Sequence, residues 1–278
     1  MEIWNHFTFR KDMHPLTTQY ILTNAIRYEY GEIVSAVDIS ENDSHWSELS
    51  RLLKLENNTY LSETKFSKEE LWGAERLIVR SQWHYDYPQP ENKYRSITYA
   101  DDCMCGDKGG CGMGLIQKGK FRFKRTPKWG KRNFCMTNWV YDELFVSPKA
   151  KELMETSDLQ GFCFLEVDNK SGTEILPDVF QLQIPYILPD GIADFTNRIR
   201  KIYDCPVCGG RKYLGNGRGQ FVFKEEAFVN APDFVKSAER FGSGLIASRL
   251  IIVSQKAYQF IVKNKLDSSL VFEPIRLA

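Results

Sequence analysis

The sequence has no long apolar run and no excess of charge of either sign. Its most apolar window, 245–253, is interrupted by Ser248 and Arg249 and is far shorter than the ~20 residues of a bilayer-spanning helix. The N-terminus does not join a basic stretch to an apolar one, so no secretory signal is predicted. With 37 basic and 36 acidic residues, the net charge of +1 argues against binding a polyanion by bulk charge. We expect a soluble cytoplasmic protein that does not enter a membrane.

Motifs of catalysis are also missing. None of the four histidines stands in a metal-binding motif, and no Gly-x-Ser-x-Gly elbow is present. The glycine-rich stretch 215–219 lacks the Lys-Ser/Thr of a phosphate loop and precedes a predicted strand rather than a helix. We therefore predict that the chain is not an enzyme. The enzymatic alternative places a site in an aromatic loop of the N-terminal region, around Trp83, His84, Asp86 and Tyr87.

The composition is that of a globular protein, with 42% hydrophobic and 13% aromatic residues in 278. Cysteine is absent from the first 100 residues. We predict an aromatic-rich α/β region over 1–100 and a zinc-binding α+β region over 101–278. In the first region, helical spacing of apolar residues predicts a helix over 44–54, and Ser-Lys-Glu-Glu from Ser67 fits a capping box. Alternation predicts a strand over 94–99.

The C-terminal two thirds of the sequence repeat themselves in outline. VSPKA at 146–150 returns as VSQKA at 253–257, and GKFRFK at 119–124 resembles GQFVFK at 219–224. A cysteine cluster ending in Cys-Gly precedes each copy. Matching segments in the same order predict an internal duplication, and chance likeness between two amphipathic helices is the alternative. The two halves span about 103–168 and 205–278.

Each half reads as strands, a capped helix and a further strand. The phenylalanines of each GxFxFK segment alternate at period two, which predicts strands with one buried face. Ser147 and Ser254 follow short apolar runs and are typical helix N-caps, with Pro148 at a position where its missing N–H costs nothing. Strands are expected afterwards over 162–167 and 270–275. The predicted fold class is α+β, with mixed or antiparallel sheets, short capped helices and zinc-knuckle elements.

The cysteines form the clearest candidate site. Cys205-Pro-Val-Cys208-Gly-Gly has the sequence of a zinc knuckle, in which two thiolates grip an ion from a tight turn. A tetrahedral site needs two more ligands, and the glycine-rich cluster of Cys103, Cys105 and Cys111 offers them. We predict a structural Zn²⁺ bound by Cys105, Cys111, Cys205 and Cys208, with Cys103 as an alternate ligand. A redox use of the pair is the alternative, although no helix follows it.

Two further cysteines, Cys135 and Cys163, lie in apolar strand-like contexts and are expected to be buried core thiols. A second signal is the segment 118–132, KGKFRFKRTPKWGKR, which holds eight basic residues in fifteen. With aromatic residues interleaved, it suits a nucleic-acid-binding hairpin. The alternatives are a strand with a solvated basic face and a surface for an acidic protein partner.

Together these features resemble the bacterial double-CXXCG-motif proteins and related immunity-like proteins of polymorphic toxin systems. The residues that carry the resemblance are Cys205-Pro-Val-Cys-Gly-Gly, the cluster from Cys105 to Gly112, and ELFVSPKAKEL at 143–153 with the Leu-x-Gly turn at 159–161. It covers about 94–170 and 200–210. The first motif departs from the family pattern, being C-x-C-x5-C-G rather than C-x-x-C-G.

The resemblance implies a non-enzymatic protein that neutralises a cognate toxin by direct binding. Our leading hypothesis is thus a zinc-stabilised immunity protein whose partner is a protein. The alternative is a zinc-knuckle protein that binds nucleic acid through the basic segment 118–132.

Overall fold

The structure is a computed structural model that describes residues 1–101, 105, 111–193 and 198–278. Its first unit consists of 1–70 with 215–220, and its second of 71–214 with 221–278. This division lies near residue 70, whereas the predicted boundary lies at 100. The strand Arg76–Ser81 belongs to the second unit because it hydrogen-bonds to two strands from the C-terminal part of the chain.

The first unit is a three-stranded antiparallel sheet with two helices. Its elements are β1 (Glu2–Phe9), α1 (Pro15–Thr23), β2 (Ser35–Ser40), α2 (Trp46–Leu55) and β3 (Leu61–Lys65). The strand order is β2-β1-β3. The helix predicted over 44–54 is confirmed as α2, and its residues Trp46, Leu49 and Leu53 are buried against Phe7 and Val37. Helical spacing alone therefore identified the buried face.

Two further features of this part of the chain are local. The helix α3 (Lys68–Gly73) begins at the predicted capping box, where the Glu70 N–H donates to Ser67 Oγ and the Ser67 N–H donates to Glu70 Oε2. The segment 215–220 belongs to the first unit. Within it, the Arg218 guanidinium holds Glu41 with two hydrogen bonds of 2.5 and 3.0 Å, the paired geometry that suits arginine and carboxylate.

The second unit contains the remaining elements. In chain order they are β4 (Arg76–Ser81), α4 (Tyr94–Thr98), β5 (Tyr99–Asp101), β6 (Leu115–Gln117), β7 (Arg122–Phe123), β8 (Phe134–Thr137), β9 (Val140–Val146), α5 (Pro148–Glu155), β10 (Cys163–Asn169), β11 (Ile175–Gln183), β12 (Ile199–Asp204), β13 (Arg211–Gly215), β14 (Val222–Phe223), a 3-10 turn (Glu225–Phe228), β15 (Phe234–Phe241), β16 (Ser248–Ser254), α6 (Gln255–Lys263), β17 (Leu270–Pro274) and β18 (Arg276–Leu277). The predicted α+β class is confirmed. In the described part of the chain no helix has the length and apolar character to cross a bilayer.

One predicted strand is wrong. The segment 94–99 forms the short helix α4 and only then enters β5. Its hydrogen bonds form a helical turn rather than pair with a neighbouring strand: the Ile97 N–H and the Ser96 hydroxyl both donate to the Lys93 carbonyl. Tyr94 and Tyr99 at the two ends nevertheless contact the same core, so burial of the aromatic rings was satisfied by a helix as well as by a strand.

The two halves share an order of elements and equivalent hydrogen bonds. The Ser147 N–H donates to Asn133 O, and the Ser254 N–H donates to Asp233 O. Both serines cap their helices as predicted, because each Oγ accepts the N–H three residues on, at 3.2 and 3.1 Å. Each hydroxyl also donates to the side chain of residue 133 or 233. The parallel pairing of β7 with β10 has its counterpart in that of β14 with β18.

The duplication extends further back than the sequence indicated. In the sheet of order β7-β10-β11-β9-β8, β11 lies between the two strands that flank α5 in the sequence. In the sheet of order β12-β13-β15-β16-β4-β17, β4 lies between the two strands that flank α6. Val146 pairs with Phe180 and the equivalent Val253 with Leu77. On this correspondence β4 and β11 are equivalent strands, and each lies in the sheet that the other half of the chain builds.

A shared core joins the two sheets. Leu144 and Val146 from β9 and Ile251 and Val253 from β16 lie in one cluster with buried residues of α5 and α6. The intervening residues point away into separate cores, Phe145 into one and Ile252 into the other. Period-two alternation along both strands thus places each sheet between the shared core and a core of its own.

Candidate metal centre

The turn between β12 and β13 has the geometry of a knuckle. The Cys205 N–H donates to Gly210 O at 2.8 Å, and the Gly209 N–H donates to Cys205 O at 3.0 Å. Gly209 has φ of +67°, a conformation that glycine adopts without strain. A Cβ on Gly210 would lie 3.2 Å from Cys208 Sγ and 3.0 Å from Met113. The Gly-Gly pair therefore lets the chain turn tightly behind the two sulfurs.

The second thiol loop approaches from residues 105 and 111. Gly112 has φ of +72°, and a Cβ there would stand 2.3 Å from the Leu245 carbonyl oxygen. Only glycine fits that position, directly after Cys111. Cys111 is buried and Cys105 is partly exposed, so this loop brings one thiol into the interior beside the knuckle.

Three of the four predicted sulfurs form one group, and the fourth lies close to one member of that group. Those of Cys105, Cys111 and Cys205 all lie within 4.8 Å of one another, and Cys111 Sγ is 3.7 Å from Cys208 Sγ. Sulfurs bound at ~2.3 Å to a tetrahedral zinc lie about 3.8 Å apart. The donor set and spacing thus fit a metal ion. Cys103, the alternate ligand, lies outside the described residues.

The environment of Cys205 favours its thiolate. Burial opposes ionisation, but hydrogen bonds from the Cys208 amide and the Cys105 side chain lower the pKa of Cys205 to about 5. The thiolate is the form that binds metals. This turn therefore presents a preformed anionic ligand near neutral pH.

Sequence reasoning missed two neighbours of the cluster, Tyr203 and Lys212. Burial, together with a hydrogen bond to Cys105, raises the pKa of Tyr203 to about 12, so it stays neutral. Lys212 is 2% exposed, and burial lowers its pKa against the attraction of the Cys111 and Cys105 thiols. Its positive charge offsets part of the negative charge of clustered thiolates. Tyr203 could have been predicted from the sequence, because residues two apart in a strand lie on the same face and Tyr203 precedes Cys205 by two.

The two cysteines outside the cluster differ from each other. Cys135 is buried, as predicted, and burial raises the pKa of its thiol. Cys163 is exposed, so the prediction of a buried thiol is wrong there. Its neighbours Phe162 and Phe164 pack against the shared core, and alternation along the strand turns the residue between them outward.

The N-terminal candidates for catalysis each contact different neighbours. Trp83 packs edge-on against Trp129 at 5.4 Å and lies under the Arg132 guanidinium. The His84 ring lies beside Tyr141, and Tyr87 contacts Trp139. The Asp86 carboxylate accepts the N–H of Tyr87 and lies 3.6 Å from Lys124 Nζ. The contacts described for these four residues give each one packing or loop-closing partners.

The basic segment 118–132 is partly neutralised within the fold. Lys120 Nζ lies 2.6 Å from a carboxylate oxygen of Glu166, and Lys124 Nζ lies 3.0 Å from one of Glu91. Phe121 and Phe123 are fully buried, so their rings are not available to stack on bases. Comparison of the sequence with known protein families and with curated proteins finds no match.

Proposed function

We propose that Cys105, Cys111, Cys205 and Cys208 hold one structural zinc ion, and that the chain is a non-enzymatic binding protein that neutralises a cognate bacterial toxin. The observation that supports the metal is the grouping of the Cys105, Cys111 and Cys205 sulfurs within 4.8 Å of one another, with Cys208 Sγ 3.7 Å from Cys111 Sγ. Four thiolates complete the coordination of zinc and leave no position for a substrate. The ion then has a structural task, which is to join the two loops.

The metal test compares two single cysteine variants of the full chain. Purified protein should contain one zinc per chain by mass spectrometry of the metal. Cys208→Ser should lose the zinc and lower the thermal midpoint, because metal binding contributes on the order of 10 kcal/mol to structural sites. Cys163→Ser is the matched control, since Cys163 is exposed and lies outside the cluster; it should keep both. A wild-type protein that lacks metal, or a Cys208→Ser protein that retains it, would refute the site.

The toxin-neutralising part rests on the resemblance to double-CXXCG-motif and immunity-like proteins, carried by the two cysteine loops and the segment 143–153. Such a protein acts by occupying its target, and electrostatic complementarity then sets the association rate. The test expresses the product of the neighbouring gene in a bacterial host, with and without this chain. We expect growth to stop without the chain and to resume with it, and the two proteins to co-elute. Growth inhibition that the chain does not relieve would refute the immunity role.

Nucleic acid is the alternative partner. The ion pairs of Lys120 and Lys124 argue against it, because they neutralise part of the basic segment. The same purified protein should then leave a duplex DNA or RNA probe unbound at physiological salt. Retention that weakens steeply with salt would favour the alternative.

A further inference from the structure

A cleft of about 570 Å³ opens in the second unit, where the two repeats meet. Its volume falls within the ~300–1,000 Å³ of ligand-binding pockets. Asp142 and Arg249 occupy equivalent positions of the two repeats and both line the cleft. The Arg249 N–H donates to Asp142 Oδ2 at 3.1 Å, so these equivalent residues are in direct contact beside the cleft. The walls come from the stretches 94–99, 112–117, 139–143, 183–187 and 236–249.

One wall of the cleft carries a buried ion pair that the duplicated copy lacks. Lys236 Nζ lies 2.6 Å from Glu143 Oε1, and the two residues are 7% and 8% exposed. Glu143 belongs to the first repeat and Lys236 to the second, and their equivalents, Leu250 in the second and Met136 in the first, are both apolar. Because apolar residues often replace a buried ion pair without loss of stability, packing alone does not account for the pair. The two positions that line the cleft are therefore charged, whereas the two equivalent positions are apolar.

The cleft is lined by more positive than negative charge. Among the residues that the structure describes, four basic and two acidic side chains line it: Arg95, Lys236, Arg240, Arg249, Asp142 and Glu143. Arg240 lies directly opposite Arg249 on neighbouring strands, and like charges in that position repel. Arg95 Nη2 is buried and has no hydrogen-bond partner among the described residues. An anionic group bound in the cleft would be attracted by these guanidinium groups.

Burial and a neighbouring positive charge both lower the pKa of Arg249. Burial, followed by the neighbouring Arg240 guanidinium, lowers the pKa of Arg249 to about 10. The carboxylates of Asp142, Glu239 and Asp190 act in the opposite direction without restoring the usual value. The Arg240 charge therefore acts on Arg249 in the same direction as burial.

Aromatic rings border the same cleft. Tyr94 and Trp139 both line it, and their rings stack at 5.9 Å with 26° between the planes. Trp139 is 42% exposed and has φ of +68° in the turn between β8 and β9, which is a strained conformation for a bulky residue. The fold thus holds a large ring half in solvent beside a cationic cleft.

We infer that this cleft binds a small planar-ring compound that carries a phosphate or carboxylate group. The anionic group lies against the arginines, and the ring lies against Trp139 and Tyr94. Arginine suits both anions because its guanidinium offers paired donors to either. This site goes beyond the proposed function and does not depend on the metal or on a toxin.

Isothermal titration of the full chain tests the inference. The probes are adenosine monophosphate for the phosphate arm, indole-3-acetate for the carboxylate arm, and inorganic phosphate and adenosine as the separate parts. At least one ring-bearing anion should bind with Kd below about 1 mM and about tenfold tighter than either part, because both parts contribute free energy. Failure of both ring anions to bind, or equal binding of inorganic phosphate alone, would overturn the inference.

Variants locate the binding in the cleft. Arg95→Gln and Trp139→Ala should each weaken binding about tenfold, equivalent to about 1.4 kcal/mol. Arg125→Gln and Trp72→Ala are matched controls, since both residues are exposed and neither lines the cleft; they should bind normally. Binding that neither cleft variant weakens would overturn the site. Since Arg95→Gln leaves the strained turn untouched, it keeps the test valid if Trp139→Ala does not fold.

Discussion

The buried pair of Glu143 and Lys236 gives a sharp stability prediction. Replacing Glu143 by Leu leaves a buried ammonium group without its carboxylate, and Lys236→Met leaves a buried carboxylate. Each single variant should lose about 3–5 kcal/mol of unfolding free energy. The double variant installs the residue types of the equivalent positions, Leu250 and Met136. Its unfolding free energy should come within about 1 kcal/mol of the wild-type value.

Hydrogen bonds around the pair are the reason to expect that the double variant is tolerated. Gln181 Nε2 donates to Glu143 Oε2 at 3.0 Å, and this hydrogen bond is lost. However, the Gln181 and Gln117 amides donate to each other at 2.7 and 2.8 Å, so Gln181 keeps a partner. The replacement therefore removes both charges without leaving an orphaned amide, which is the costly outcome.

Urea unfolding followed by tryptophan fluorescence measures all four proteins of the cycle. An exposed pair provides the control: Lys120 and Glu166 also approach to 2.6 Å, but their side chains are 42% and 51% exposed. Breaking that pair should cost less than about 1 kcal/mol. The reasoning is refuted if Glu143→Leu is as mild as the control, or if the double variant loses the sum of the single losses.

The other local predictions concern caps and one ion pair. Ser147→Ala and Ser254→Ala should each cost about 1 kcal/mol in urea unfolding, because each removes an N-cap acceptor; unchanged stability would contradict the cap assignment. The Arg218 guanidinium lowers the pKa of Glu41 against the effect of burial, so this pair stabilises at neutral pH and the stabilisation is lost as pH falls through the lowered value. Arg218→Gln should therefore lower the unfolding free energy by up to about 1 kcal/mol at neutral pH, and this loss should shrink on acidification. A loss that does not depend on pH would contradict the stabilising role of the pair.

Local patterns predicted the elements on which the candidate site depends. The knuckle at Cys205 and the caps at Ser147 and Ser254 each depend on residues within a few positions of one another, and the structure has both features as predicted. The outward turn of Cys163 was also within reach, because Phe162 and Phe164 on either side already indicated the buried face.

The exchange of β4 and β11 was not predictable in the same way. These strands match only in apolar character, with Leu77 and Val79 of one equivalent to Phe180 and Leu182 of the other. Sheet pairing is decided by side-chain packing against distant strands, and no local signal says which sheet a strand joins. The cleft depends on the same non-local assembly, so its arginines stood out in no motif.

The strand exchange leads to a last prediction, which concerns the turn between β10 and β11. A protease site inserted at 170–173, an exposed turn for most of its length, would separate the first repeat from β11. Cleavage there should leave the two fragments associated, because β11 is the central strand of the first sheet and β4 lies between β16 and β17 in the second.

Native gel filtration before and after cleavage measures the association, and denaturing electrophoresis confirms the cut. We expect one peak of unchanged volume, because separating the fragments would strip an inner strand from both sheets and expose apolar residues of the shared core, among them Leu77 and Leu182. Fragments that separate without denaturant would show that each repeat is complete without the other's strand, and the exchanged arrangement would then be refuted.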